Sequence, residues 1–489
     1  MKRTFFHIIL IGLVTGFGSC KKWLDLKPQD GIVGDEFWNT KEQVDAAVTG
    51  VYTSLQANTE LFFIWGEARA DMVMPGFRAN QDELDIVNLN MLPNNRYANW
   101  RTMYQSINYC NSIIQMAPGV LQKDNTFGQA QLDRALGQAL AIRGLLYFYL
   151  VRSFGEVPLN LKATVSDNDV VGLAKSSQVD LLNQIVEDLQ RAATLLPETY
   201  GSVEQDKGRV CRYAAHAMLA DVYMWMDKYN EAAAECDKII NAQKYSLVNR
   251  SSFFNSVFFR GNSQESIFEL QFDEQRLNPF YDMHVPGRKR WGAGTHLVDM
   301  VYGIDMVSAF PKVDVRGDET SFRSTDFTIW KYMGADNRGD DFRPQDESFA
   351  HWIFYRYADV LLLKAEALNE MNKPVEASRI VKDIRERATA IDLKIMDSAN
   401  KGPMAIFILE ERQRELAFEG KRWYDVLRNA KRNNYEKRQL LMDMASLSIP
   451  ADRRQAAFTK LRDNNSHYFP VYFYELQTNK LLEQNSFYK

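Results

Sequence analysis

Residues 219–235 read LADVYMWMDKYNEAAAE, and this stretch decides the fold class of the chain. It places the small residues Ala220 and Ala232 twelve positions apart, and the larger Tyr223 lies three positions after the first of them. Where two helices pack closely, small residues allow the backbones to approach, and a larger neighbour fills the remaining space. The stretch therefore predicts a helical hairpin that turns near Lys228.

The same spacing recurs at Ala365, Leu368 and Ala377, and a weaker echo occurs at Gly144 and Tyr147. This register is similar to that of tetratricopeptide repeats, in which each helical pair buries one face against the next pair. Two alanine-rich hairpins that share the spacing by chance are the alternative. Because long stretches without the pattern separate the units, the sequence predicts a helical scaffold with large insertions rather than a regular solenoid.

Helical periodicity extends over most of the chain and predicts a mainly α protein. The first helix begins with a capping box, in which Thr40 precedes Gln43 by three positions. Further amphipathic helices are predicted at about 100–115, 129–154, 179–195, 210–226, 229–242, 356–371, 374–389 and 403–430.

The predicted domain organisation follows from where this periodicity stops. Glycines and short β-type segments, such as residues 266–272, predict a loop-rich insertion between residues 245 and 353, which the family resemblance described below places on the ligand side. The expected single domain, residues 20–489, comprises a helical part (20–244), the insertion (245–353), and a second helical part with an irregular tail (354–489).

The composition is that of a globular protein with a large core. Of the 489 residues, 46% are hydrophobic and 25% are charged, which excludes a disordered chain and a polytopic membrane protein. Lysine and arginine number 59 against 63 acidic residues, a formal charge of −4. No basic excess is available to neutralise a phosphate backbone, so nucleic acid is not an expected partner.

The first nineteen residues are predicted to be a signal peptide. Lys2 and Arg3 precede an apolar run over residues 5–14, which is too short to span a bilayer. The run leads to Gly18-Ser19-Cys20, which resembles the bacterial lipobox. The resemblance implies that Cys20 is acylated and anchors the mature chain to a membrane through its fatty-acyl chains. A soluble exported protein with a chance cysteine is the alternative.

Sequence motifs for catalysis and metal binding are absent. There is no Gly-x-Ser-x-Gly, no His-Glu-x-x-His and no phosphate-binding loop. The histidines have no ligand-like spacing, and the acidic residues 336–341 lack the spacing of an EF-hand, so no metal site is predicted. Cys110, Cys211 and Cys236 are expected to be buried thiols rather than a disulfide or a zinc site.

The densest charged segment is residues 410–425, EERQRELAFEGKRWYD. On one predicted helix, Glu411, Glu415 and Glu419 would stack four residues apart, and Arg422 would pair with Glu419. Paired carboxylates can be the acids of a glycosidase, but arginine partners keep a carboxylate ionised and hydrogen-bonded. The segment is therefore interpreted as an internal ion-pair network that locks a core helix.

Aromatic residues in weakly periodic segments are the candidate ligand contacts. The apolar faces of sugar rings stack on such side chains while polar neighbours bind the hydroxyls. Trp291 is the first candidate, because it lies in the basic, glycine-rich stretch 287–294 with no amphipathic pattern to bury it. The predicted ligand-binding residues are Trp291, Trp65, Phe77, Arg78, Asn80, Tyr281 and Trp330. Burial in the core is the alternative for each ring.

Several segments, taken together, resemble one known family. They are WLDLKP (23–28), EFW (36–38), AAVTGVY (46–52), RGLLYF (143–148), FGEVPL (154–159), ESIFELQF (265–272), RYADVLLLKAEA (356–367) and ERQRELAFEGKRWYD (411–425). This combination is similar to the SusD/RagB family of outer-membrane nutrient-binding lipoproteins. The tail departs from the family pattern at Tyr472 and Lys480, which stand where prolines are usual.

The resemblance implies a scaffold of four tetratricopeptide-like pairs and a role in capturing oligosaccharides, or another oligomeric nutrient, at the cell exterior. It also implies a SusC-like TonB-dependent outer-membrane transporter as partner, with no cofactor and no enzymatic activity. Two other hypotheses stay open. One is an adaptor that uses the repeats to recognise proteins, and the other is a surface glycoside hydrolase with carboxylates outside residues 410–425.

Overall fold

The computed structural model describes residues 37–489, and the predicted signal peptide (1–19), Cys20 and the family-like segment 23–28 lie outside them. The helices are α1 (Lys41–Ala57), α2 (Thr59–Glu67), α3 (Gln81–Val87), α4 (Arg101–Met116), α5 (Gln129–Phe154), α6 (Gln178–Leu195), α7 (Val203–Gly208), α8 (Arg212–Trp225), α9 (Tyr229–Asn241), α10 (Phe280–His284), α11 (Trp330–Met333), α12 (Tyr357–Glu370), α13 (Pro374–Ala388), α14 (Lys401–Glu415), α15 (Arg422–Tyr435), α16 (Gln439–Ser448), α17 (Ala451–Leu461) and α18 (Phe473–Thr478). The strands are β1 (Val73–Pro75), β2 (Ser266–Leu270), β3 (Trp291–Ala293) and β4 (Trp352–Arg356). The predicted mainly α fold is confirmed.

Four helical pairs form the scaffold: α1 packs on α4, α5 on α6, α8 on α9, and α12 on α13. The alanines of the repeated spacing, Ala220, Ala232, Ala365 and Ala377, are fully buried. Successive pairs also contact one another, α6 with α8 and α9 with α12. The hairpin predicted around Lys228 is confirmed, because α8 ends at residue 225 and α9 begins at 229.

Two small antiparallel sheets organise the loop-rich insertion. β1 pairs with β3, so that Val73 lies opposite Ala293 and Pro75 opposite Trp291. β2, which the sequence predicts, pairs with β4, and every residue of both strands is buried. Because α12 begins directly after β4, the second sheet holds the insertion against the helical scaffold.

The single helix predicted over residues 403–430 is wrong, because α14 ends at residue 415 and α15 begins at 422. Phe418 and Gly420 between them have left-handed φ angles of 66° and 71°. A Cβ on Gly66 in α2 would lie only 2.0 Å from the carbonyl oxygen of Gly420. The turn therefore packs its backbone directly against α2, and this long-range contact ends the helix.

The helix break also changes one predicted ion pair. Glu419 lies in the turn, and Arg422 pairs with Asp71 instead, with Nε and Nη2 at 2.8 and 2.9 Å from the two carboxylate oxygens. Glu419 accepts hydrogen bonds from Arg356 and Lys331, each with a shortest distance of 2.8 Å. The carboxylate is therefore paired across the fold rather than along its own helix.

The predicted ion-pair network itself is confirmed and is centred on Arg356. Its Nη1 lies 2.6 Å from Glu265 and 2.7 Å from Glu415, and its Nε lies 2.8 Å from Glu419. All four side chains are buried. Burial alone would raise the pKa of Glu415, but the surrounding guanidinium groups lower it below the usual range, so this carboxylate stays ionised.

Cys110, Cys211 and Cys236 are buried free thiols, as predicted. Among residues 37–489, no helix has the length and apolar character needed to cross a bilayer.

Candidate ligand-binding site

Three of the predicted ligand-binding rings belong to the core. Trp65, Trp291 and Trp330 are fully buried. The Nε1 of Trp65 donates to the carbonyl of Tyr97 at 2.9 Å, and the Nε1 of Trp330 donates to the carbonyl of Asp336 at 2.6 Å. The expectation that Trp291 lies outside the core is therefore wrong, and these rings present no face to a ligand in this structure.

The burial of Trp291 follows from the sheet. It is the first residue of β3, and all three residues of that strand are buried. A strand of three residues has too few positions to show an alternating pattern in the sequence. Its environment is set by β1, more than two hundred residues earlier in the chain, so local sequence carries no signal of it.

Four other side chains form an accessible surface where the β1–β3 ribbon ends. Phe77 is 67% exposed, and the guanidinium of Arg78 lies 5.8 Å from its ring centroid. Tyr281 is half-buried, and the guanidinium of Arg288 lies 5.7 Å from its ring. We call these four residues the ribbon rim.

Backbone contacts hold the two halves of the rim together. The amide of Arg78 donates to the carbonyl of Lys289 at 3.3 Å, and the amide of Gly76 donates to the carbonyl of Arg290 at 2.7 Å. A Cβ on Gly76 would lie 2.2 Å from the Lys289 carbonyl oxygen, so a residue without a side chain is required there. Phe77 and Arg78 are consequently displayed on a tight turn beside Arg288.

A polar cluster beneath the rim fixes this turn. Nε of Arg290 donates to Glu83 at 2.7 Å, and its Nη2 donates to Glu60 at 2.5 Å and to the hydroxyl of Tyr97 at 2.7 Å. Burial, with the two carboxylates, raises the pKa of Tyr97 above its ordinary range, so the phenol stays protonated. Rings and guanidinium groups of the rim are thus mounted on a rigid support.

Asn80 has a definite structural role next to the rim. Its Oδ1 accepts from the amide of Glu83 at 3.2 Å, and Glu83 Oε2 accepts from the amide of Asn80 at 2.8 Å. This is a capping box that begins α3. Because Glu83 also binds Arg290, the cap connects α3 to the ribbon.

The chemistry of the rim suits binding rather than catalysis. Aromatic faces stack on apolar faces of sugar rings, and guanidinium groups donate hydrogen bonds to hydroxyl or acidic oxygens. Two carboxylates beneath the rim, those of Glu60 and Glu83, are bonded to Arg290. Within residues 37–489, no cluster of histidine, cysteine and acidic side chains has metal-ligand geometry.

The sequence places Phe77, Arg78 and Tyr281 among the candidates. In the structure, the backbone hydrogen bond from Arg78 to Lys289 joins the Phe77–Arg78 pair to the segment whose Arg288 contacts Tyr281. Reasoning from the sequence missed Arg288, although it lies in the stretch 287–294 that contains Trp291. The sequence signal was a glycine followed by three basic residues, which is typical of an exposed turn, and Gly287 has a left-handed φ of 81° in the structure. The error was to assign the binding role to the one large ring in that stretch.

The architecture defines a class of proteins in which a scaffold of helical pairs carries a loop-rich insertion. Two family models match the chain. One, described as the SusD family, matches residues 297–488, and the other, described as starch-binding and associating with the outer membrane, matches residues 22–224. The chain belongs to the SusD/RagB family.

Similar proteins and solved structures agree with this assignment. SusD-like protein P38 of Formosa agariphila is 27% identical over 477 residues, covering 88% of this chain and 91% of that protein. A SusD-like protein of Bacteroides ovatus is 24% identical, covering 84% of this chain and 80% of its own length. The crystal structure of a SusD superfamily protein from Bacteroides vulgatus has a TM-score of 0.75 at 24% identity, covering 92% of this chain and 100% of that one.

Proposed function

We propose that this protein binds an oligosaccharide, or another oligomeric nutrient, at the ribbon rim and delivers it to a SusC-like TonB-dependent transporter for import across the outer membrane. The observation that carries the binding proposal is the exposure of Phe77 on a rigid turn beside Arg78. A large exposed ring on a braced support costs little entropy to order, which favours its use as a contact. The description of the matching family as starch-binding supports a glycan as the first ligand to test.

The proposed location is the exterior face of the outer membrane, with Cys20 as the lipid attachment point. The lipobox-like Gly18-Ser19-Cys20 supports acylation, and the description of the family as associating with the outer membrane supports the compartment. Two or more acyl chains anchor a protein stably, because each buried CH₂ contributes about 0.8 kcal/mol. A transporter partner is proposed from family membership alone.

We also propose that the protein is not an enzyme. The densest carboxylate cluster is held ionised by arginines, which lower the pKa of Glu411 to about 2 against the opposing effect of burial. A carboxylate in this state cannot donate the proton that glycoside hydrolysis needs from its general acid. A hydrolase would therefore need carboxylates outside residues 410–425, and the release of shortened sugars in the titration below would reveal them. The adaptor hypothesis differs in predicting that no small ligand binds, even in a transporter complex.

The direct test is calorimetric titration of residues 21–489 against a panel of host, plant and microbial oligosaccharides and mixed peptides. The expected result is saturable binding to one class, weakened in Phe77→Ala. Loss of one ring contact at the centre of a site costs about 1 kcal/mol or more, or roughly a fivefold rise in Kd. Phe310→Ala, which removes an equally large exposed ring from another surface, is the matched control and should leave Kd unchanged.

Three outcomes separate the hypotheses. Binding that is insensitive to Phe77→Ala keeps the function and rejects the ribbon rim as its site. Release of shortened sugars during the titration would establish a hydrolase. Failure of the whole panel, both with the isolated protein and with the co-purified transporter complex, would favour the adaptor.

A further inference from the structure

A cavity of about 460 Å³ lies at the opposite end of the β1–β3 ribbon from the ribbon rim. Asp71 and His296, which flank the ribbon at that end, both line it. Asp71 and Phe77 are six positions apart and lie on either side of β1, which corresponds to a separation of up to roughly 20 Å at about 3.3 Å per residue. The cavity is therefore a separate site, and its function does not depend on the glycan proposal.

Arg414, near the end of α14, lines the cavity with a guanidinium that has spare donors. The residue is only 6% exposed, and its Nε donates to Glu411 at 3.3 Å. Glu411 is already shared by Arg316 and Arg385, at 2.6 and 2.9 Å. In residues 37–489, the two terminal nitrogens of Arg414 meet no acceptor. A buried guanidinium in this state favours a carboxylate, whose two oxygens match its planar pair of donors.

The other charges that line the cavity are paired or exposed. Arg422 binds both oxygens of Asp71, and Lys394 forms an ion pair with Glu410. Asp443 is exposed, so that water screens its charge. Arg414 shares its one carboxylate partner, Glu411, with two other arginines, so among the charges that line the cavity its guanidinium is the least compensated.

Gln413 and His296 supply the other polar atoms of the cavity lining, and one of these atoms is a free hydrogen-bond acceptor. Nε2 of Gln413 donates to Asp71 at 3.2 Å, and its Oε1 has no donor among the described residues. Nε2 of His296 is also buried there without a partner. The apolar walls are formed by Met300, Val301, Leu409, Val426 and Met444. A ligand with a carboxylate, an adjacent N–H and an aliphatic group would match all three parts of this lining.

We propose that this cavity is a second binding site, which takes an aliphatic N-acyl amino acid or the C-terminus of a peptide with an aliphatic last residue. The carboxylate binds the terminal nitrogens of Arg414. The N–H of the ligand donates to Oε1 of Gln413, and the aliphatic side chain packs on the walls.

The test is titration of residues 21–489 with N-acetyl-leucine and N-acetyl-leucyl-leucine, each compared with its C-terminal amide. The acids should bind saturably at one site, and the amides at least tenfold more weakly. Tighter binding of the dipeptide than of N-acetyl-leucine identifies a peptide as the source, and equal binding identifies an N-acyl amino acid. Glucuronate, a carboxylate without an aliphatic group, should bind at least tenfold more weakly than either acid.

Two variants locate the site. Arg414→Gln should reduce affinity for the acids at least tenfold without changing affinity for the amides. Leu447→Trp, on the half-buried face of α16, should fill the cavity and abolish binding without touching the ion-pair network. Arg338→Gln, which removes a largely exposed arginine from another surface, is the control and should have no effect. Equal binding of acid and amide, binding retained in Leu447→Trp, or no binding by the parent protein would each overturn the proposal.

Discussion

Replacement of Arg356 by alanine tests the role of the buried ion-pair network most sharply. Its guanidinium contacts three carboxylates, those of Glu265, Glu415 and Glu419, and the side chain is fully buried. Removal of one partner from a buried pair leaves an uncompensated charge in a medium of low polarity. The variant is therefore expected to have a much smaller free energy of unfolding. The loss increases with the number of carboxylates that no longer have a cationic partner.

The structure limits that loss to about one uncompensated charge. Glu265 keeps Arg387 at 3.2 Å, Glu415 keeps Arg316 at 2.9 Å, and Glu419 keeps Lys331 at 2.8 Å. The expected destabilisation is therefore about 3–5 kcal/mol, the cost of breaking one buried pair, rather than three times that value.

The assay is urea unfolding followed by far-UV circular dichroism and tryptophan fluorescence. Lys382→Ala is the matched control, because its pair with Glu386 at 3.5 Å is exposed on both sides. An exposed pair of this kind contributes less than about 0.5 kcal/mol. If Arg356→Ala loses no more stability than Lys382→Ala, the network does not hold the insertion to the scaffold and the reasoning fails.

Three further predictions concern single positions. Gly420→Ala should destabilise the protein by about 2–4 kcal/mol, because Gly420 has a left-handed φ and a Cβ there would lie 2.8 Å from the Trp352 ring. Gly50→Ala, in the interior of α1 where a Cβ meets no other atom, should stabilise the protein by up to about 1 kcal/mol. If the unfolding midpoints of the two variants shift in the same direction, this prediction is wrong. Burial raises the pKa of Glu67 to about 8, so the folded state holds a proton that the unfolded state releases above about pH 4.5. The free energy of unfolding should therefore fall as pH rises from 4.5 through 8, by up to about 5 kcal/mol relative to Glu67→Gln. Parallel pH profiles of the two proteins would refute this prediction. Cys20→Ser should move the protein from the membrane fraction to the soluble fraction and abolish labelling by palmitate, and unchanged fractionation would reject the anchor.

The helical scaffold was predictable because its signals are local. Ala220 and Ala232 lie within one hairpin, and a period of 3.6 residues is visible over helices of thirteen or more residues. The ion-pair network was predictable for a related reason. Three of its carboxylates, Glu411, Glu415 and Glu419, lie within one short charged segment, and buried carboxylates of this density are stable only when they are paired. Most of the arginines that pair with them, Arg316, Arg356 and Arg387, come from distant parts of the chain and could not be predicted.

The site was harder to predict because long-range contacts decide it. Trp291 is buried by the pairing of two three-residue strands from distant parts of the chain. The turn at Gly420 depends on the close approach of Gly66, which no helical pattern reveals. The unpaired donors of Arg414 can be recognised only when it is known that Glu411 also pairs with Arg316 and Arg385. In each case, the sequence identifies the residue type but not its partner.

The most direct test of the account is a crystal structure of residues 21–489 with the oligosaccharide that binds most tightly in the titration panel. We expect a sugar ring stacked on Phe77, with hydroxyl oxygens within hydrogen-bonding distance of Arg78 or Arg288 and the ring of Tyr281 alongside. A sugar bound elsewhere, with the ribbon rim open to solvent, would reject the rim as the binding site.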